Sequence, residues 1–393
     1  MVGKNGESAG IPADNGLGTE ALGHLLLRLA LPSILAQVVN LLYNLVDRVF
    51  VGRIPDTGAL ALAGVGVAFP VIMFISAFAS LVGMGGAPRA SMAMGRGDRE
   101  TAERILGNNV TLNIVIGIAV GAVSLLFLDP ILRFFGASHQ TLPYAREYMT
   151  VILAANVFSQ LFYGTNAVLR ATGKPKQAMF ITIATVVMNA VLAPIFIWGC
   201  GLGISGAAYA TVLSQIAALV WQMHIMSNKN ELLHLHRGIY RPDRDIARNI
   251  IAIGLSPFSM NVCACIIVIF INNSLVKYGG DLAVGAYGIA NRVAFIFVMI
   301  NMGLNQGMQP IAGYNYGSQQ LDRMMRVLKY AMIAATVIMT TGFVIAMVIP
   351  ELCARLFTTD ATLIDMSVEG IRTIMLMFPV VGYQMVVTNS SRV

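Results

Sequence analysis

The sequence predicts an all-α integral membrane protein built from two parallel helical repeats of six helices each, the second incomplete at its C-terminal end. Two observations carry this. The chain is 56% hydrophobic and only 11% charged, with a mean hydropathy of +0.72, whereas soluble domains carry about 25% charged residues. It also repeats itself at a spacing of 222 residues. Gly66 recurs as Gly288, Ala68 as Ala290, Pro88 as Pro310, Gly95 as Gly317, Phe135 as Phe357 and Glu147 as Glu369. A long hydrophobic unit used twice implies two homologous bundles with a pathway between them.

The elements follow in order. Residues 1–16 are polar, rich in Gly, Asn and Ser, and lack an apolar signal-peptide core. They are expected to form a disordered cytoplasmic tail. Crossing a ~30 Å hydrocarbon core takes about 20 apolar residues. Such stretches fall near 25–50, 60–86, 107–128, 146–168, 178–198 and 205–226 in a first bundle spanning 17–226. A polar linker follows at 227–246. Stretches near 247–275, 284–308, 325–349 and 369–389 make a second bundle over 247–393. An even number of spans returns the chain to its starting side, so the repeats are parallel. Val393 corresponds to Ala171, and the counterpart of Thr172 to about His236 would add two helices, twelve in a complete protein.

The net charge of +7 records topology rather than a nucleic-acid partner. With Lys and Arg assigned to alternating loops, 17 fall on the N-terminal side and 7 on the other. This places the N-terminus in the cytoplasm of a multi-pass protein of the cytoplasmic membrane. Cys200, Cys263, Cys265 and Cys353 lie in or beside apolar spans without zinc or disulfide spacing and read as packing residues. In the linker, His234 and His236 have no Cys, Asp or third His at ligand spacing, so a solvated basic loop is expected and no metal. The five His residues lie in loops or near span ends, which offers no nucleophile–base pair within the membrane and argues against an enzyme. No cofactor is expected. Gly83, Gly85 and Gly86 in one copy, with Pro88 and Pro310 at matching positions, allow either close helix packing or a hinge.

Polar residues inside the spans carry the chemistry. Gln37, Asn40, Asn44 and Asp47 line one face of the first helix. Lipid offers them no partners, so they face the bundle interior or a wet cavity. A carboxylate at a helix centre costs about 2.5–3.5 kcal/mol on insertion and marks an ion or proton site by default. Pairing of Asp47 with Arg48 or Arg53 at the interface is the alternative. Asn156, Ser159, Gln160 and Tyr163 form a stripe on the fourth span, Thr182, Thr185 and Asn189 on the fifth, and Thr211, Ser214 and Gln215 on the sixth. Together they could build an oxygen cage for an alkali cation, and Asp47 alone suits a proton. Aligning Pro32 with Pro257 puts Asn272 at the Asp47 position, so the ion chemistry is assigned to the first bundle. The second bundle offers Asn272, Arg292 and Asn305 as cavity candidates, with Arg292 either bridging helices or lining the cavity. The 23 methionines suit promiscuous apolar surfaces.

Several stretches resemble the multidrug and toxic compound extrusion (MATE) family, and within it the MepA/DinF-like bacterial branch. They are Leu31-Pro32, the run Tyr43 to Gly52, Gly95 to Asp98, Arg170 to Pro175, Gly206 to Thr211 and Gln309 to Gly317. The resemblance implies a drug antiporter exchanging Na⁺ or H⁺ for organic cations, with Asp47, Asn189 and Thr211 as coupling residues. Any Na⁺ would sit among those three. Many relatives carry a second aspartate four residues beyond the asparagine, where this chain has Ala193, a departure that favours H⁺. Expected partners are the bilayer and small, drug-like organic cations; no feature sets an oligomeric state. The main rival is a lipid-linked oligosaccharide flippase of the same superfamily, which would need several Arg or Lys inside the first bundle.

Overall fold

The computed structural model describes residues 16–55, 57–228, 233–236 and 238–390, without the side chains of helical residues 44, 45, 272, 273, 276, 281 and 284. Nearly all of the tail, the side chains of Asn44 and Asn272, and part of the linker therefore lie outside the described residues.

The described residues form helices and no strand. In the first repeat these are α1 (Leu22–Gly52), α2 (Gly58–Gly95), α3 (Arg99–Leu126), α4 (Leu128–Phe134), α5 (Leu142–Ala154), α6 (Asn156–Ala171), α7 (Pro175–Pro194) and α8 (Gly203–Met226). The second repeat holds α9 (Arg244–Gly317), α10 (Leu321–Val348), α11 (Pro350–Arg355), α12 (Ala361–Met375) and α13 (Phe378–Ser390). Eight stretches are single helices long and apolar enough to span a bilayer. The pairs α5–α6, bent by 60°, and α12–α13, bent by 45°, bring the number to ten, the number expected. The bent pairs are the stretches read as single spans at 146–168 and 369–389.

The repeat is visible in the helix boundaries. Shifted by 222 residues, α2 coincides with Gly280–Gly317 and α3 with α10 to the residue. The bent pair recurs in the same place. Two spans of the second repeat, Arg244–Ile271 and Gly285–Gly317, run together in α9. They turn at Gly280, whose φ of +68° is open to glycine at little steric cost. Local chemistry starts the other helices. Asp98 caps α3 by accepting from the Thr101 amide at 3.0 Å, and Asp360 caps α12 by accepting from the Leu363 amide at 2.9 Å.

Within the first repeat, helices are stapled by buried amides. Asn109 donates to Val82 O at 2.9 Å, Asn156 to Gly117 O at 2.9 Å, and Gln160 to Ile75 O at 3.1 Å. Such bonds contribute about 0.6 kcal/mol each between membrane helices. Glycine provides the close approach, as where Gly83 meets Gly164. The α2 helix runs unbroken through Gly83–Gly86, so these glycines serve packing here.

The two repeats meet in a seam at the face where α1 begins. Gly95 packs on the carbonyl of Tyr314, and Gly317 on that of Met92. These are one contact made twice, because 95 and 317, like 92 and 314, are repeat equivalents. The symmetry of the contact is that of a two-fold axis along the membrane normal. Above it, Gly303 and Gly307 pack on Ile34 and Ala30 of α1, while Gly85 and Gly254 bring α2 against the first arm of α9. The start of the chain joins this seam, with Leu17 O accepting from Asn315 and Glu20 O from Arg323.

Candidate functional site

Three helices of the first repeat converge on Thr211. Its hydroxyl donates to Ala207 O, one turn back in α8, at 3.1 Å. That leaves it only acceptor capacity. Asn189 of α7 donates to it at 3.1 Å, and the Tyr43 hydroxyl of α1, also 3.1 Å away, must then be a donor as well. Tyr43 lies one turn before Asp47, which is 7% exposed. Asp47 Oδ1 is buried and has no hydrogen-bond partner among the described residues. Tyr148 of α5 is buried and lies within electrostatic reach of Asp47. An ionised carboxylate with an unsatisfied oxygen is costly in such surroundings. The arrangement suits a bound proton or cation better than a bare charge.

Asn189 and Thr211 are thus brought together with Tyr43, and Asp47 lies one turn along α1 from that tyrosine. The sequence reading did not single out Tyr43 or Tyr148 as a site residue. The signal for Tyr43 was its i−4 spacing from Asp47; Tyr148 carried none. Tyr163 is 47% exposed and within electrostatic reach of Tyr43, and the neighbouring Gln215 accepts from Ser159 at 2.5 Å.

Other candidates go elsewhere. Asn156 and Gln160 are buried at 3% and 2% exposure, and their amide nitrogens staple α6 to α3 and α2. A stripe on one helix face reports that the face is shielded from lipid, and a neighbouring backbone shields it as well as water does. Gln37 bridges the repeats by donating to Gln306 of α9 at 3.1 Å. Asn40 is half-buried on the same helix. Asn305 donates back to Asn301 O on its own helix at 2.9 Å, and its own carbonyl is buried without a partner. Arg292 is exposed and lies within electrostatic reach of Arg48 across the two repeats. Arg48 in turn sits over the Phe69 ring at 4.9 Å. Deeper along α2, Phe74 and Phe78 stack edge to face, and Phe78 meets Phe258 of α9 with centroids 4.9 Å apart. Ala193 is fully buried in an apolar cluster with Val51, Ile54 and Ile197.

The MatE family model matches residues 32–195 and 257–392, which together are most of the chain. The multidrug export protein MepA of Staphylococcus haemolyticus (strain JCSC1435) is 26% identical over 342 residues, which cover 87% of this chain and 75% of MepA. A multidrug resistance MATE family transporter of the MOP superfamily, solved in an outward-facing conformation, superposes with a TM-score of 0.88. It shares 25% identity over 96% of this chain and 84% of its own. A MOP superfamily transporter from Pyrococcus furiosus Vc1 (DSM3638), described as having a binding pocket of reverse polarity, matches at TM-score 0.88 and 25% identity, covering 97% and 84%. With both repeats matched, in fold and in sequence, the chain belongs to the MatE family of multi-pass membrane proteins.

Proposed function

We propose that the chain is a secondary active multidrug exporter of the cytoplasmic membrane, exchanging protons for small organic cations by alternating access, and not an enzyme. The observation that carries this reading is the buried Asp47 Oδ1, without a hydrogen-bond partner among the described residues, one turn from the Tyr43–Thr211–Asn189 node. It sits in a repeat fold whose seam is closed at one face. The names of the relatives support export of drugs. The excess of Lys and Arg on the N-terminal side supports a cytoplasmic N-terminus. The closed seam is then the inner gate, and this conformation faces outward.

In this mechanism Asp47 gains a proton from outside when the cleft is open, which removes the cost of a buried charge and loosens its hold on a cationic substrate. The ion changes the equilibrium only through unequal affinity for the two conformations. The ladder of Phe74, Phe78 and Phe258 suits the apolar, cationic faces of such substrates. Proton coupling is favoured over Na⁺ because the position where relatives carry a second aspartate is Ala193, buried in an apolar cluster. Na⁺ at Asp47, Asn189 and Thr211 would have fewer anionic ligands to replace its hydration shell.

A second reading has one observation in its favour. Arg48 and Arg292 lie within electrostatic reach of one another across the repeats, and two guanidinium groups suit an anionic, lipid-linked substrate such as a flippase would carry. The test is ethidium efflux from proteoliposomes under an imposed pH or Na⁺ gradient. Proton-driven efflux that Asp47→Asn abolishes is expected. Efflux unchanged in that variant would sink the coupling role, and Na⁺-driven efflux would replace the proton.

A further inference from the structure

The spacing of His234 and His236 offers two metal ligands and no third. The fold supplies the third from 131 residues earlier in the chain. Glu103 lies in the first turns of α3, is 8% exposed, and points at the histidine pair. Its Oε1 is 3.0 Å from His234 Nδ1 and its Oε2 is 3.8 Å from His236 Nδ1. The imidazole centroids are 5.0 Å apart, and one ligand atom from each residue falls within 4.8 Å of the others. Ligands about 2.1 Å from a tetrahedral Zn²⁺ are about 3.4 Å from each other. The two observed carboxylate distances straddle that value, so rotamer adjustments of a few tenths of an ångström complete the edge.

A cation already samples these lone pairs. Arg99 Nε donates to Glu103 Oε1 at 3.0 Å, and Arg99 Nη2 is 3.2 Å from His234 Nδ1. The Arg99 guanidinium and the Glu103 carboxylate therefore converge on His234 Nδ1. His236 Nδ1 has, besides the carboxylate, a long 3.4 Å contact with His234 O. Arg99 is 44% exposed and can leave toward solvent.

The platform is fixed on both sides of the pair. Leu233 is buried in a core with Ile105 and Leu106, and Leu235 donates its amide to Met226 O at 2.7 Å. Further along, the Tyr240 carbonyl accepts from Thr111, and Asp243 pairs with Arg104 at 2.7 Å. A donor set held this way pays little ordering entropy on binding.

We propose that Glu103, His234 and His236 form a divalent transition-metal site of Zn²⁺ type, with water as fourth ligand, that clamps the inter-repeat linker to α3. Two imidazole nitrogens and one carboxylate match catalytic-type and transport-type zinc chemistry. The site lies at the face of the seam, remote from Asp47, so it is separable from coupling.

The test titrates Co²⁺, then Zn²⁺, into the full-length protein in detergent with any affinity tag removed. One Co²⁺ per chain with the visible absorption of tetrahedral coordination, displaced by Zn²⁺, is expected. His236→Ala replaces an exposed side chain and leaves the fold intact. It and Glu103→Gln should each weaken binding by at least about tenfold. Arg99→Gln should strengthen it, and Asp47→Asn should leave it unchanged. Absence of a saturable Co²⁺ spectrum, or a spectrum indifferent to His236→Ala, would overturn the assignment.

Discussion

Replacing Gly95 and Gly317 together by alanine should drive the protein out of the conformation described here. A Cβ on Gly95 would lie 2.0 Å from Tyr314 O, and one on Gly317 2.1 Å from Met92 O. Ordinary contact begins at 3.4 Å. The obstacles are backbone carbonyls of packed helices and cannot rotate aside, so the seam must part by more than an ångström at both points. Overpacking costs typically 1–3 kcal/mol per site, so the pair disfavours the closed seam by about 2–6 kcal/mol. At 1.4 kcal/mol per factor of ten, that is a population shift from roughly 30-fold to above 10⁴-fold. A state with the seam open has no such clash, so the variant should still fold. The assay is a spin-label distance between Arg96 and Gln320, both exposed at this face, in a background lacking the four native cysteines. A longer distance should dominate in the double variant, and efflux should fall because the gate no longer closes. An unchanged distance distribution in a folded, inserted protein would refute the reasoning that glycine contacts hold this gate shut.

Other perturbations probe the site and its frame. Thr211→Val removes the acceptor shared by Tyr43 and Asn189 and should slow proton-driven efflux while lowering thermal stability by about 1–3 kcal/mol for the stranded donors; equal efflux would deny the node a role. Ala193→Asp places a carboxylate one turn from Asn189, and Na⁺ should then stimulate efflux measured at constant pH; no stimulation would show that the missing aspartate does not set the ion. Asp98→Ala removes the cap of α3 and should cost about 1 kcal/mol near neutral pH. The Thr101 hydroxyl and amide hold the Asp98 carboxyl below its usual range. The cap's stability is therefore full above the unfolded-state value and lost as pH falls through the folded one. Wild type and variant should converge in melting temperature in acid.

Much of this fold was legible because membrane helices obey a length rule and because the chain states its plan twice. The pairing of Gly95 with Gly317 in sequence became a pairing in space: each repeat puts the same glycine against the same carbonyl of the other. Less legible was the use of polar residues. Gln160 and Asn189 look alike in sequence, as amides on an apolar helix. One donates to a backbone carbonyl and the other to a hydroxyl beside a carboxylate. The difference lies in what the neighbouring helix presents, and periodicity within one helix cannot report that. Glu103 shows the same limit at long range, since its partners are fixed by how the linker folds back on α3.

The two ends of α1 suggest how one bundle's chemistry reaches the gate. Near its start, Ala30 and Ile34 are the surfaces on which Gly307 and Gly303 of the second repeat pack, and Gln37 bonds to Gln306. Near its end, Tyr43 bonds to Thr211 of the first repeat, and Asp47 lies one turn on. The helix therefore belongs mechanically to the second repeat at one face and to the first at the other. Pro32 falls inside the first grip, between Ala30 and Ile34, and a proline removes one backbone bond and weakens the helix against bending there. A proton at Asp47 changes the interactions of one end of a helix whose other end forms the seam. The seam itself is nearly symmetric, whereas the polar node is confined to the first repeat, so the coupling signal must cross between repeats. Among the described contacts, α1 touches both the node and the seam and offers the shortest route. Tightening α1 with Pro32→Ala should weaken coupling while leaving the node intact. Uncoupled ethidium exchange with an intact Asp47 would be its signature, and normal coupling in that variant would move the link to another helix.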